Sequence, residues 1–359
     1  MSKAATPWLP LWPVRYKPLA DELLSSWLIR LSHGMGLKVQ TFCNLEFGNQ
    51  RQVWNRDIDR FGPSWLIERL SQRTGTPLEV AHRTSLRAYD GILYRRFKSN
   101  GVLPWVLRLK MYHRTWLGHG LMFCPGCLAE DKEPYFRRRW RLALNTVCSR
   151  HRCMLLDCCP VCQAGVGFTR TDLGQPGQED FMGQNVCHAC GFDLRQAVAP
   201  PPGCLDEEAA AWLNQLWTEF EAGDFVPDLI EQLTVFHMIC SLLTRRNRAL
   251  HLAEYLGDRL GVEHPLTLQS WTPLETRSVD ERHQLLQMAA WLMVDLPGRL
   301  GEARRAHAIR FNHLLRDFDE VPEGYRRIAL SLQGGKAPAG EGFGAEHGRE
   351  EHQDHDRLT

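Results

Sequence analysis

Three observations predict a mainly α fold interrupted by a compact cysteine-rich module. Apolar residues recur at helical spacing near both ends of the chain. Between these stretches, metal-ligating residues come in tight pairs: Cys124 with Cys127, Cys148 with His151, Cys159 with Cys162, and Cys187 with Cys190. Pro200-Pro201-Pro202-Gly203 then breaks the chain before helical periodicity resumes. The expected organisation is an N-terminal helical domain with a candidate helix-turn-helix (1–115) and a tandem metal-binding module (116–200). A C-terminal helical domain (201–332) and a disordered tail (333–359) complete it.

The 359 residues leave room for two or three small domains with ordinary cores. The formal net charge of +1 hides an asymmetry: residues 1–150 carry 24 Lys+Arg against 11 Asp+Glu, and residues 151–359 carry 19 against 31. A basic front suits a polyanion and an acidic rear suits a protein partner, although charges spread over two ordinary surfaces would count the same. The opening carries Pro7, Pro10, Pro13 and Pro18 in place of a signal-peptide apolar run, and no stretch approaches a membrane span. A cytoplasmic protein with reduced thiols is therefore expected.

In the front region, Leu24, Trp27, Leu28 and Leu31 share a helix face. Asp21 is placed to cap that helix, and Gly34 and Gly36 to stop it. A second helix over Ser64–Leu70, a Thr74-Gly75-Thr76 turn and Pro77 at the first position of another helix suit a helix-turn-helix. Leu78, Ala81, Ser85 and Leu86 would face inward there, leaving Glu79, His82, Arg83 and Arg87 exposed. An ordinary helical hairpin, or one used for protein docking, fits the same pattern.

A basic stretch follows. Arg87, Arg95, Arg96, Lys98, Arg108, Lys110 and Arg114 alternate with Tyr89, Tyr94, Phe97, Trp105, Tyr112 and Trp116. Cations can hold phosphates while aromatics stack on bases, so Arg83, Arg87, Arg95, Arg96 and Lys98 are candidate nucleic-acid or partner contacts. The alternative is a connector with buried aromatics and solvated arginines. Arg137-Arg138-Arg139 extends the positive face or lies in a solvated loop.

The paired cysteines carry the strongest chemistry. Cys124, Cys127, Cys148 and His151 supply one four-ligand set, and Cys159, Cys162, Cys187 and Cys190 another. Two closed tetrahedral zinc sites are the expectation, and with all four positions filled by protein neither keeps a place for an activated water. Such sites are structural. Cys158 adjoins Cys159 and is an alternative ligand, disfavoured because Cys159 has the two-residue spacing to Cys162. Cys153 reads as spare, and Cys43, Cys204 and Cys240 as core or incidental thiols.

Pro18-Leu19-Ala20-Asp21-Glu22-Leu23-Leu24-Ser25-Ser26-Trp27-Leu28 resembles the opening of the TniQ family. So do Phe123-Cys124-Pro125-Gly126-Cys127-Leu128, Tyr135-Phe136-Arg137, Trp140-Arg141-Leu142, Cys148-Ser149-Arg150-His151, Leu155-Leu156 and Cys159-Pro160-Val161-Cys162. Order and spacing agree over residues 15–200. TniQ and the related TnsD proteins select targets for bacterial transposons. The resemblance implies an adaptor that links target DNA to the transposon's AAA+ ATPase regulator, which recruits the transposase. In CRISPR-associated transposons it implies docking on a guide-RNA effector complex. It also permits a homodimer.

Beyond the boundary, Leu213, Leu216, Trp217 and Phe220 share a face, as do Leu229, Leu233, Phe236, Cys240 and Leu243. Leu285, Ala289 and Leu292 form a stripe that Pro297-Gly298 would end, and Ala308, Phe311, Leu315 and Phe318 form another. Core packing accounts for all of them. Arg245-Arg246-Arg248 and Arg304-Arg305 read as solvated helix faces. The chain has no phosphate-binding loop, no nucleophile elbow and no His-Glu-x-x-His helix. A non-enzymatic adaptor is the expected function; a zinc-containing helix-turn-helix transcriptional regulator is the alternative.

Overall fold

In the computed structural model the apolar stripes become helices whose buried faces join one continuous core. The structure describes residues 10–48, 53–109, 119–170, 182–222, 227–244, 251–262, 272–316, 318 and 320–333. Over these it is mainly helical, with thirteen α-helices and one two-stranded sheet. Lys110, Tyr112, Arg114, Trp116, the Arg245-Arg246-Arg248 cluster and the tail from residue 334 lie outside the described residues. Among the described residues, no helix is long and apolar enough to cross a membrane.

Helix α1 (Leu24–Gly34) buries Leu24, Trp27, Leu28 and Leu31 completely. Asp21 does not cap it. Leu23 occupies that position, while Asp21 sits at φ 57° and turns its carboxylate elsewhere. Helices α2 (Val39–Phe47) and α3 (Ile58–Phe61) pack on α1. Helices α4 (Ser64–Thr74) and α5 (Leu78–His82) make the helix–turn–helix, with Gly75 left-handed at φ 64° between them. Pro77 is the N-cap of α5, not its first residue.

Ala81, Ser85 and Leu86 point inward as expected, but Leu78 is 45% exposed. With only five residues, α5 ends before its face repeats. The 3-10 turn at Leu86–Tyr89 does the burying instead.

Helix α6 (Pro125–Glu130) and an antiparallel hairpin, β1 (Val147–Cys148) and β2 (Cys153–Met154), are the regular elements of the central module. Cys148 lies directly opposite Cys153. The C-terminal region comprises α7 (Glu207–Ala222), α8 (Pro227–Leu243), α9 (Leu252–Leu260), α10 (Val279–Val294), α11 (Leu296–Arg305), α12 (Phe311–Leu315) and α13 (Glu323–Ser331). Helix α10 packs against α7, α8, α9 and α11. Ser278 and Glu281 form a capping box at its start.

Pro297-Gly298 does not terminate a helix; it opens α11, where Asp295 caps the Gly298 N–H. Proline suits that first turn because its missing N–H has no helical acceptor to lose. Leu216 and Phe220 of α7 are buried, whereas Leu213 and Trp217 are half-buried.

The N-terminal and C-terminal segments are tied together. Trp105, fully buried, donates its indole N–H to the Leu233 carbonyl at 3.2 Å. The Glu275 carboxylate accepts from the Trp105 backbone N–H at 3.0 Å and lies 2.7 Å from His237 Nε2. These bonds run from the residues before the module into the C-terminal helices.

Candidate metal centres and the basic face

Four short pieces of chain position the eight candidate ligands. Cys124 is the N-cap of α6, Pro125 occupies its first turn, and Cys127 follows on the helix. The remaining three pairs share one local fold. The N–H of Arg152 bonds to the Cys148 carbonyl at 2.7 Å, that of Gln163 to Cys159 at 2.9 Å, and that of Gly191 to Cys187 at 2.9 Å. In each case the donor is left-handed, at φ 50°, 60° and 76° respectively. Each pair is thus an α-turn that points both of its ligand side chains to one side.

Cys159 and Cys187 go further alike: their own N–H groups bond to Ala164 and Phe192, both at 2.8 Å. The second centre is a pair of near-equivalent knuckles facing each other.

Both quartets have ligand atoms lying within 4.8 Å of one another. In the first, Cys127 and Cys148 Sγ are 3.6 Å apart, and His151 Nδ1 is 3.4, 3.4 and 3.6 Å from Cys124, Cys127 and Cys148 Sγ. In the second, Cys159 to Cys190 is 3.7 Å and Cys162 to Cys187 is 3.6 Å. A tetrahedron with ~2.3 Å metal–sulfur bonds has edges of about 3.8 Å. Disulfide bonding would need sulfurs at about 2.05 Å, and all twelve cysteines are free. Each quartet could therefore hold a metal ion.

His151 turns Nδ1 toward the sulfurs, while Glu130 Oε1 stands 3.2 Å from its Nε2. A carboxylate behind the outer nitrogen orients a ligating imidazole. Gly126 makes room for the ring: a Cβ there would lie 2.5 Å from His151 Cδ2. Cys158 stays outside the second quartet. Its thiol lies 3.5 Å from Gln163 Oε1, and burial pushes its pKa up to about 11.

The residues of the Asp-Glu-Leu-Leu-Ser-Ser-Trp segment form a staple. Asp21 accepts from Arg138 Nε at 3.0 Å and Arg139 Nε at 2.8 Å, and its carbonyl accepts from the Arg138 N–H at 2.7 Å. Ser26 Oγ accepts from the Phe136 N–H at 3.1 Å and donates to Glu22 at 3.1 Å. Glu22 also pairs with Arg30 at 2.8 Å; burial outweighs that cation and holds the carboxyl up at about 7. Ser25 donates both its N–H and its hydroxyl to Asp59, at 2.8 and 2.7 Å.

Asp59 and Asp57 then meet Arg141, which is completely buried, at 3.4 and 2.5 Å. Sequence inspection did not single out Asp57, Asp59 or Arg141 as an ion cluster. The available signal was an arginine followed by the apolar run Leu142-Ala143-Leu144.

Arg137-Arg138-Arg139 does not extend a positive face. Arg137 pairs with Asp131 at 2.7 Å, Arg138 and Arg139 pair with Asp21, and Arg139 also reaches Glu221 of α7. Among the described residues, the aromatics of the basic stretch form no stacking platform either. Tyr89, Tyr94 and Trp105 are buried, and Phe97 lies beneath Arg87 at 4.2 Å.

Arg83 pairs with Glu79, and Arg87 lies 3.9 Å from Asp90. Arg95, Arg96 and Lys98 are exposed, and among the described residues their side chains have no ion-pair partner. The structure brings the eight cysteine and histidine candidates into two centres. It leaves the five candidate nucleic-acid cations on the surface.

Fold and centres together define a mainly helical protein braced by a double cysteine/histidine module able to hold metal ions. Residues 13–155 match the TniQ family model, so that segment of the chain is similar to the TniQ family. No curated protein matches the chain.

Proposed function

We propose that this protein is a target-selection adaptor of a transposon, working in the cytoplasm, in which two structural zinc ions brace the body that joins its partners. The TniQ match over residues 13–155 carries this reading, because that span includes the whole staple and the whole first metal centre. Cys124, Cys127, Cys148 and His151 would hold one ion, and Cys159, Cys162, Cys187 and Cys190 the other. The donor sets, three thiols with one imidazole and four thiols, favour zinc over hard cations such as magnesium or calcium. Bound zinc would supply cross-linking and thiolate charge neutralisation. The protein residues do the rest: the knuckles orient the sulfurs, Glu130 orients His151, and Arg141 with Asp57 and Asp59 locks the first centre to α1 and α3.

Arg95, Arg96 and Lys98, exposed and unpaired, are the residues best placed to meet a polyanion, either target DNA or a guide-RNA complex. Arg83 and Arg87 flank them with their charges partly engaged. The AAA+ ATPase regulator is the protein partner in this reading, and a second copy of the chain completes a homodimer. The transcriptional-regulator alternative has less support. A five-residue second helix with Leu78 and Val80 on its outside offers little for reading a major groove.

Co-purification with a transposon AAA+ ATPase regulator, with target DNA or a guide complex present, tests the adaptor reading. The expected result is a complex that concentrates the ATPase on target DNA, without strand cleavage or ATP hydrolysis by this chain alone. Replacing Arg95, Arg96 and Lys98 by Glu should weaken polyanion binding and flatten its salt dependence. Strand transfer by the chain alone, or no coupling to the ATPase in any of these mixtures, would overturn it. Zinc is tested separately: fresh, reduced protein should contain about two ions per chain, and a metal-free preparation would remove the zinc assignment.

A further inference from the structure

We propose that Cys153 is a reserve ligand of the first metal centre, placed to take over the coordination position of Cys124. The proposal rests on the zinc reading above. Cys153 Sγ lies 3.9 Å from Cys124 Sγ, close to the ~3.8 Å edge of a zinc–thiolate tetrahedron. It is not a fifth simultaneous ligand, because the set of mutually close donor atoms closes at four without it.

Backbone register explains why this thiol is near. Cys153 is the residue of β2 directly opposite Cys148 of β1. Directly opposed residues of an antiparallel pair project from the same face, so the face that aims Cys148 at the centre aims Cys153 there too. The β1–β2 hairpin would then contribute Cys148, His151 and Cys153, and α6 would contribute Cys127. The donor set remains three thiols and one imidazole, so the exchange changes neither the charge nor the softness of the site.

The other thiols outside the two quartets stand elsewhere. Cys43 and Cys240 are buried in the apolar core, Cys158 lies against Gln163, and Cys204 is exposed. Cys153 is half-buried, so it can move without opening the core. A centre of this kind keeps its metal when Cys124 is alkylated or oxidised, whereas loss of Cys127 has no substitute.

The test is zinc stoichiometry of the full chain and its alanine variants, purified under reduction. Wild type should hold two ions and Cys127→Ala one. Cys124→Ala should hold two, and Cys124→Ala/Cys153→Ala should fall to one. A single ion in Cys124→Ala, with two in wild type, overturns the reserve role while leaving the zinc reading intact. No ion in wild type overturns both.

If Cys124→Ala does not yield folded protein, Cys153→Ala in the otherwise intact chain decides. Its first-centre zinc should pass to a chromophoric chelator faster than in wild type, because a ligand that detaches is no longer replaced. Equal release rates would overturn the proposal.

Discussion

Replacing Arg141 by Met should destabilise the protein strongly, and more so as pH rises. The guanidinium has no exposed surface. It meets both Asp57 oxygens, at 2.5 and 3.1 Å, one Asp59 oxygen at 3.4 Å, and the Leu107 carbonyl at 2.9 Å. Methionine fills much of the volume but leaves two carboxylates, both under a tenth exposed, without their cation. Removing one partner from a buried ion pair costs about 3–5 kcal/mol.

Protonation limits that cost. Burial already pushes Asp59 up to about 6, against an ordinary value of 3.8, and loss of the cation should raise it further. A carboxyl whose folded pKa exceeds its unfolded one makes the native state the better proton binder, so stability falls as pH rises between the two values. The loss should therefore be smallest near pH 5 and approach the full ~3–5 kcal/mol above pH 7.

Urea unfolding of wild type and Arg141→Met at both pH values, in zinc-containing buffer, measures this. Adding Asp57→Asn and Asp59→Asn to the variant should recover part of the loss, since no uncompensated charge remains. A loss under about 1 kcal/mol at high pH, as expected of an exposed pair, or one independent of pH, would refute the account of this cluster.

Gly126→Ala should cost first-centre metal, read by metal analysis, because its Cβ would stand 2.5 Å from His151 Cδ2 and the ring must leave its place. Helix propensity alone would make the same change stabilising by about 1 kcal/mol, so a more stable, fully loaded variant would contradict the packing. Gly191→Ala meets nothing within 4 Å but sits at φ 76°. It should cost about 1 kcal/mol in denaturant unfolding, and an unchanged midpoint would show that the turn relaxes freely. Glu22 has its carboxyl held at about 7 by burial, against the ordinary 4.5. Its contribution to stability is most favourable below pH 4.5 and declines until about pH 7. The Glu22→Gln variant should lose that decline, worth up to about 3 kcal/mol, and parallel stability–pH curves for the two proteins would disprove it.

Much of the local architecture is legible in the residue order. A Cys-x-x-Cys or Cys-x-x-His turn is a local object, closed by one hydrogen bond across five residues, and so the ligand pairs could be read without a fold. The stripe of α1 and the buried faces of α8 and α10 were legible for a similar reason: burial of a continuous apolar stripe needs only the helical period. Cys159 was preferable to Cys158 on spacing, and the structure places Cys159 in the quartet.

Other properties depend on partners distant in sequence. Asp21 reads as a helix cap, yet it serves as the acceptor of two arginines more than a hundred residues away. Arg137, Arg138 and Arg139 read as surface charge and are neutralised by Asp131, Asp21 and Glu221, whereas Arg95, Arg96 and Lys98, equally basic in sequence, remain uncovered. Leu78 follows the inward pattern, but a helix of five residues cannot carry that pattern through. Cys153 reads as spare and lies across a strand pair from Cys148, a candidate metal ligand. The chain by itself determined the ligand pairs and the helices, because these arise from spacings of three to five residues. Tertiary structure alone decided which charges are paired, which apolar side chains stay outside and which thiol stands beside a candidate metal centre, because Coulomb attraction and burial act between residues that only folding brings within a few ångströms.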